Sequence, residues 1–412
     1  MAEVVAAAWA TEEVVATGLQ LGVASYVMAK PTMPIKATWS QIATTDDEAS
    51  RAYIFGGWTS RASIASTDIH SISLATSTAE YQVLPAIPAN EGGPTPSART
   101  NHAACALGNR IVVYGGCNAN GHLVDNDNGL WVYDTEKLSW DRLEPASHPE
   151  RCPPQRSDAK LFQHDGNIIL FGGKGSSGSA LADVWHFDCS TKTWNQLPSA
   201  PVATTSAALF GDILYLISGS DNLSSRVHIL EVKLYSQQPL TWKTLSFPTN
   251  PLTPGPKPRE NGGLVPITTG HGRNYLLYFL GDRRDFPSKI GDGETLLNED
   301  VAPAQWSDMW TFQLPSSDVD FKATTALNEA IKPAKIKDYI RTKLGVDTGD
   351  SSWAEVEVQP PGDIQGHEGK LHPGPRSHFG YCQAADGRSV VIWGGLDAKG
   401  QEQGDGWAIQ LQ

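Results

Sequence analysis

The 412-residue chain lacks several features that would assign a function at once. Its cysteines are five and scattered (Cys105, Cys117, Cys152, Cys189 and Cys382), with no Cys-x-x-Cys. An odd, dispersed set fits neither a disulfide framework nor a zinc site, and it predicts reduced thiols in a cytoplasmic protein. Positive charge is scarce: the net charge is −13 and the pI about 5.3, which argues against nucleic acid or an anionic membrane as partner. The basic run "KPAKIKDYIRTK" (332–343) has helical spacing rather than a phosphate-reading pattern. Long apolar runs are missing too. Residues 14–29 carry no charge, but they include Gly, Thr, Gln and Ser and fall short of the ~20 apolar residues of a membrane span. Glu3, Glu12 and Glu13 stand where a secretory leader would need basic residues and an unbroken apolar core.

What the chain has is turns, with 39 Gly and 27 Pro, and a repeat. Six apolar runs end in two small residues or a close variant: "RAYIFGG" (51–57), "RIVVYGG" (110–116), "NIILFGG" (167–173), "ILYLISG" (213–219), "LLYFLGD" (276–282) and "SVVIWGG" (389–395). Each is followed by a second run: "DIHSISL" (68–74), "LWVYDTE" (130–136), "DVWHFDC" (183–189), "RVHILEV" (226–232), "DMWTFQL" (308–314) and "DGWAIQL" (405–411). A third motif, Trp with an aliphatic three residues later, closes most units: "TWSQI" (38–42), "SWDRL" (139–143), "TWNQL" (193–197), "TWKTL" (241–245) and "SWAEV" (352–356), with "EYQVL" (80–84) as a weaker copy. β-Branched and aromatic composition between Gly, Asp, Asn and Pro predicts a strand for each run. A repeat of roughly 50 residues is the period of a propeller blade.

These units resemble kelch repeats. The chain over about residues 31–412 is similar to stand-alone fungal kelch-repeat proteins, most of all in "PTMPIKATWSQIA" and "TTGHGRNYLLYFLGD". The resemblance implies an all-β, six-bladed propeller with four antiparallel strands per blade around an axial channel. It implies no single activity, since relatives include protein-binding modules, a copper oxidase related to galactose oxidase, and cofactor-free product-directing proteins. The oxidase needs an adjacent Tyr-His pair, which this sequence lacks, so neither copper nor another metal or cofactor is expected. No compact His/Asp/Glu cluster, nucleophile elbow or phosphate loop is visible; "GGKGSSG" (172–178) is not followed by a Lys-Ser/Thr helix start.

Innermost strands are expected in "RTNHAACAL" (99–107), "RSDAKLFQH" (156–164), "VATTSAALF" (202–210), "RENGGLVPI" (259–267) and "RSHFGYCQA" (376–384). In the first unit Trp39 and Gly56 are only 17 positions apart, against 24 to 41 in units three to six. With "TWSQI" taken as a closing strand that completes the last blade, no room is left for an inner strand in blade one. The alternative is that "TWSQIA" itself lies inside, leaving the last blade short of an outer strand. Residues 1–30 are alanine-rich and read as a helical segment, and "PAKIKDYIRTKLG" reads as a helix within an insertion at 315–351.

Strand order puts most long connections on one propeller face, where function usually lies. There four inner strands open with Arg99, Arg156, Arg259 and Arg376, and two residues on stand Asn101, Asp158, Asn261 and His378, with Thr204 equivalent in unit four. In kelch repeats the arginines tie blades together. The second set forms a polar, titratable ring at the channel mouth. Under a ligand-binding reading the acid-base groups are His378, Asp158 and Glu260, while Asn101, Asn261, Thr204 and the four arginines orient a ligand and Trp58 and Trp306 wall an apolar pocket. Two functions follow. One is cofactor-free cyclisation or isomerisation of a small molecule at the mouth, as in fungal secondary metabolism. The other is protein binding on the same face. A wide aromatic-lined mouth favours the first, a narrow wet one the second.

Overall fold

In the computed structural model each repeat folds on the same local rule: an inner strand, in most blades of small and mixed residues, pairs antiparallel with the apolar run that follows it, and two further strands extend the sheet outward. The residues described are 3–7, 25–26, 41–44, 51–60, 63–74, 81–124, 129–221, 224–234, 238–246, 255–268, 274–283, 305–315, 351, 353–358, 373–384 and 386–411. Blades two to five are four-stranded sheets whose innermost strands are Ala103–Leu107, Lys160–His164, Ala207–Phe210 and Gly263–Thr268. With Gln41–Thr44 and Gly380–Gln383 these neighbour one another in a closed ring of six, so the fold is an all-β six-bladed propeller.

Blade one keeps its inner strand, which corrects the sequence reading. Gln41–Thr44 pairs antiparallel with Arg51–Phe55, Gln41 opposite Phe55, and neighbours the inner strands of blades six and two. Tyr81–Leu84 is the outer strand of that blade. The physical reason is backbone pairing: without an inner partner Arg51–Phe55 would leave a row of peptide groups unpaired at the axis. Six residues suffice to reverse the chain between Thr44 and Arg51. The short spacing reflects an inner strand that pairs directly with the strand after it, not a lost strand.

The last blade is completed by an N-terminal strand, as expected, but by Glu3–Ala7 rather than by "TWSQI". Val4 to Ala7 pair with Leu411 to Ala408, and Ser25–Tyr26 pairs with Trp407 and Gly406. The predicted N-terminal helix is thus corrected at residues 3–7: the unpaired edge of Gly406–Leu411 outweighs the helical propensity of alanine. Glu357–Val358 adds in parallel to Glu3–Val4. The rest of the expected helical segment and the insertion helix lie outside the described residues. Among the described residues no helix is long and apolar enough to cross a membrane, and all five cysteines are free.

Packing between blades explains the closing tryptophans. Trp140 on blade two, 1% exposed, lies 5.1 Å from Phe55 of blade one and 5.2 Å from Tyr133 of its own blade, centroid to centroid. Trp194 on blade three repeats this with Tyr114 of blade two and Phe187. Each ring fills the wedge between two sheets, and such aromatic contacts contribute roughly 0.5–1.5 kcal/mol beyond burial.

Candidate functional site

The channel mouth on the loop-rich face is built from the segment that enters each inner strand. Its arginines are structural. Arg156, Arg259 and Arg376 are 0–2% exposed, and each pairs with a carboxylate at the start of its own blade's third strand. Arg156 Nη1 and Nη2 donate to Asp183 at 2.6 and 2.8 Å, Arg259 to Asp308 at 2.9 and 3.0 Å, and Arg376 to Asp405 at 2.6 and 3.0 Å. The same carboxylates accept from the indole N–H of Trp185, Trp310 and Trp407. The guanidinium also donates to a carbonyl at the end of its own blade's second strand, as Arg156 Nη1 does to Gly172 O at 2.8 Å. In blade two Gly129 stands where the others have aspartate; Arg99 there donates to Gly115 O and to Ser97.

The glycine pair exists for this junction. Gly115 and Gly116 hold φ of 63° and 97°, and Gly116 N–H donates to Arg156 O of the next blade at 3.0 Å. A Cβ on Gly115 would collide with that carbonyl, so this position requires glycine in blade two, whereas Leu280 holds the equivalent place in blade five at φ 55°.

The predicted ring is brought together, for a reason other than strand alternation. Asn101, Asp158, Asn261 and His378 all sit in the left-handed region, with φ of 50–57°. Asn, Asp and His are the non-glycine residues that tolerate this conformation best, so the backbone alone accounts for much of their identity. The turns lock across blade boundaries: Asp158 N–H donates to Asn101 O at 2.7 Å and His378 N–H to Asn261 O at 3.0 Å. Side chains follow. Asn101 Nδ2 donates to Asp158 Oδ1 at 2.5 Å, and Lys174 Nζ lies 3.0 Å from Asp158 Oδ2. Asn261 Nδ2 donates to Asp282 Oδ2 at 2.9 Å, and His378 Nδ1 lies 3.4 Å from the same oxygen and 3.0 Å from Ser377 Oγ.

His378 is packed rather than solvated, its side chain 15% exposed. Burial lowers its pKa, opposed by the charges of Asp282, Asp158 and Glu260. Glu260 is exposed beside Asp282, its partner across a two-residue strand pair. Thr204 does not join the ring: its hydroxyl donates to Ile217 O at 2.8 Å, and Thr205 lines the mouth instead. Next to Asn101, His102 is 1% exposed, with neither ring nitrogen hydrogen-bonded, and burial pushes its pKa down to about 3. It serves as a neutral aromatic ring, 5.2 Å from Phe55 edge-to-face.

The void these residues border measures about 50 Å³ and is lined by Asn101, His102, Asp158, Thr205, Asn261 and His378 among others. Trp58 and Trp306 do not line it. Trp58 opens a short strand pair with Ser63–Ile64, and Trp306 lies at the rim of the face beneath cations. Arg283 stands 4.1 Å from the Trp306 ring centroid, with Arg259 at 5.8 Å and Lys257 at 5.9 Å. Lys174, Asp282, Arg283 and Lys257 were not singled out in the sequence, because their roles depend on which loops meet. Asp183, Asp308 and Asp405 were also missed as partners of the arginines, although their recurrence in "DVW", "DMW" and "DGW" is a signal that could have found them.

The channel widens toward the opposite face into a cavity of about 690 Å³ lined by the inner strands. At its rim the fold gathers His164, Asp165 and Asp212, whose ligand atoms lie within 4.8 Å of one another. The sequence showed no such cluster, because His164 and Asp212 come from different blades. Asp165 is the left-handed residue of an Asp-Gly hairpin turn and His164 contacts Asp212 directly, so turn chemistry and one hydrogen bond account for the set.

Comparison with known proteins agrees with this architecture. The profile of the KLHDC2/KLHL20/DRC7 Kelch-repeats domain matches residues 40–277 and 125–318. Kelch domain-containing protein 3 of Rattus norvegicus is 27% identical over 177 residues, 39% of this chain and 44% of that one. Adagio protein 3 of Arabidopsis thaliana is 29% identical over 231 residues, 53% of this chain and 34% of that one. The flagellar outer-arm dynein alpha chain of Chlamydomonas reinhardtii is 24% identical over 202 residues, 47% of this chain and 4% of that one. The chain thus spans less than half the length of the curated relatives it matches. The solved structure of YjhT superposes with a TM-score of 0.55 at 14% identity over 93% of this chain and 99% of that one, which bears on the fold alone. With the matched repeats, the glycine-pair junctions and the six-strand ring in place, the chain belongs to the kelch-repeat family.

Proposed function

We propose that the protein is an interaction module that binds another protein on its loop-rich face. The observation that carries this reading is the size and saturation of the mouth. A void of about 50 Å³ holds one or two waters, whereas small-molecule sites run to about 300–1,000 Å³. Its polar groups are engaged with one another, Asn101 with Asp158 and Asn261 and His378 with Asp282. A cyclisation or isomerisation site of the kind found in secondary metabolism would need room for a folded substrate beside His378 and Asp158, and the mouth offers that reading less support.

Around this narrow centre the face offers Trp306 under Arg283 and near Lys257, on a chain of net charge −13. Among the described residues no carboxylate forms a salt bridge with Arg283 or Lys257. A large aromatic flanked by guanidinium is the composition of an interface anchor, and it suits a partner segment carrying carboxylates. That this chain matches only 34% of a longer relative, Adagio protein 3, fits a binding role for the kelch domain. The test is quantitative affinity capture from cells of the source, comparing the native chain with Arg283→Glu and with a charge reversal on the opposite face, Asp212→Lys. The reading expects proteins whose recovery falls at least tenfold with Arg283→Glu alone. A bound set that is the same for all three chains would overturn it.

A further inference from the structure

The wide end of the channel carries a separate inference. Inner strands place small and apolar residues along the cavity of about 690 Å³, among them Ala104, Ala106, Phe162 and Phe210, with Gln163 and Gln383 as neutral polar groups. Its volume lies within the range of small-molecule sites, which combine apolar walls with a few convergent polar groups. One cation stands deep in it. Lys160, the first residue of the inner strand of blade three, lines both this cavity and the small mouth void, so it marks the waist between them. Tyr381 of the inner strand of blade six does the same from across the channel.

Lys160 Nζ donates to Tyr381 Oη at 3.3 Å and lies 5.1 Å from the centre of that ring. Among the described residues no carboxylate lies within salt-bridge distance of it. The carboxylates that border the cavity, Asp165 and Asp212, are at the outer rim beside His164. His164 is four residues along the strand from Lys160, ~13 Å at ~3.3 Å per residue, beyond the Debye length of ~8 Å at physiological salt. An ammonium with two open donor positions, a phenol beside it and a chamber of mixed polar and apolar surface above it complement an anionic headgroup on a body with both apolar and hydrogen-bonding parts.

We propose that the wide end of the channel binds a small organic anion, with its acidic group on Lys160 Nζ and Tyr381 Oη and its body against the inner strands. The ligand enters from the face opposite the long loops, so this site is independent of the protein-binding reading. The ammonium holds the anion by a charge-assisted hydrogen bond that a neutral molecule of the same shape cannot make.

The probe is 1-anilinonaphthalene-8-sulfonate, with uncharged N-phenyl-1-naphthylamine as its counterpart, titrated by fluorescence into the full chain. Saturable binding of the sulfonate is expected. Lys160→Met should weaken it about tenfold or more, ~1.4 kcal/mol by the usual conversion, and leave the neutral probe within about twofold. Lys160→Arg should retain the sulfonate, and so should Lys243→Met, which removes an exposed lysine from an outer strand. Unfolding midpoints confirm that the variants are folded; should Lys160→Met not fold, Tyr381→Phe should give a loss of about threefold. Displacement by decanoate or by decyl phosphate then identifies the headgroup class. Equal sulfonate affinity in native and Lys160→Met chains, no saturable binding, or displacement by neither competitor would overturn the proposal.

Discussion

The amide of Asp158 donates to the carbonyl of Asn101 at 2.7 Å across the boundary between blades two and three. The Asn101 side-chain amide returns a bond to the Asp158 carboxylate at 2.5 Å. Two residues from adjacent repeats, each in a left-handed turn, close the mouth on each other. The pair shows how this propeller spends its polar groups: on joining blades first.

The arginine–aspartate pairs inside blades three, five and six predict large stability effects. Removing one partner of a buried, bidentate pair leaves the other charge uncompensated, at a cost of about 3–5 kcal/mol. Asp183→Ala and Asp308→Ala should each destabilise by roughly that amount in denaturant unfolding. Loss under about 1 kcal/mol would mean the pairs add no more than surface ion pairs do.

Acid should weaken the same pairs. Burial acts to raise the pKa of Asp183, but hydrogen bonds and charge from Arg156, with the Trp185 indole, hold it below the usual carboxylate range. A carboxyl depressed in the folded state contributes stability that is present above its unfolded pKa, ~3.9, and lost as pH falls through the folded value. The native chain should therefore lose stability below about pH 4 more steeply than Asp183→Asn. Parallel profiles would remove this role.

His102 adds a second pH window. Its folded pKa of about 3 lies below the unfolded value near 6.5, so the unfolded chain binds the extra proton between those limits. Stability from this group is full above pH ~6.5 and declines as pH falls. His378, lowered by burial, acts in the same direction. His102→Leu should flatten the dependence of the unfolding midpoint on pH between 7 and 5. An unchanged slope would place the titration elsewhere.

Much of the blade pattern was legible in the sequence. The glycine pairs, the closing tryptophans and the arginines four residues before the inner strand follow from junction geometry repeated in each unit. Blade one was misread because Gln41–Thr44 and an outer strand share the same composition, and only pairing to Arg51–Phe55 distinguishes them. Glu3–Ala7 was misread because alanine-rich chain favours helix until an open edge is offered, and that edge lies about 400 residues away at Gly406–Leu411. Asn101, Asp158, Asn261 and His378 meet where their spacing puts them and Thr204 does not; the φ of 50–57° shared by those four was not visible in the sequence, and it explains why they are Asn, Asp and His. Lys160 and Tyr381 come from blades 221 positions apart, and no local pattern joins them.

The N-terminal strand predicts an assembly effect. Deleting residues 1–7 leaves Gly406–Leu411 without its antiparallel partner over Val4 to Ala7. An open edge pairs with other chains, so the truncated chain should self-associate in light scattering and unfold at a lower temperature. A monomeric truncated chain of unchanged midpoint would show that the strand does not complete the blade.

The most direct measurement of the binding account is hydrogen–deuterium exchange on the chain with and without a partner recovered by its dependence on Arg283. Binding on the loop-rich face predicts added protection at 255–262, 281–283, 305–306 and 376–378, with the outer strands Tyr81–Leu84 and Trp242–Leu245 unchanged. Protection confined to those outer strands, or to the turns at His164–Asn167 and Phe210–Ile213 on the opposite face, would contradict it.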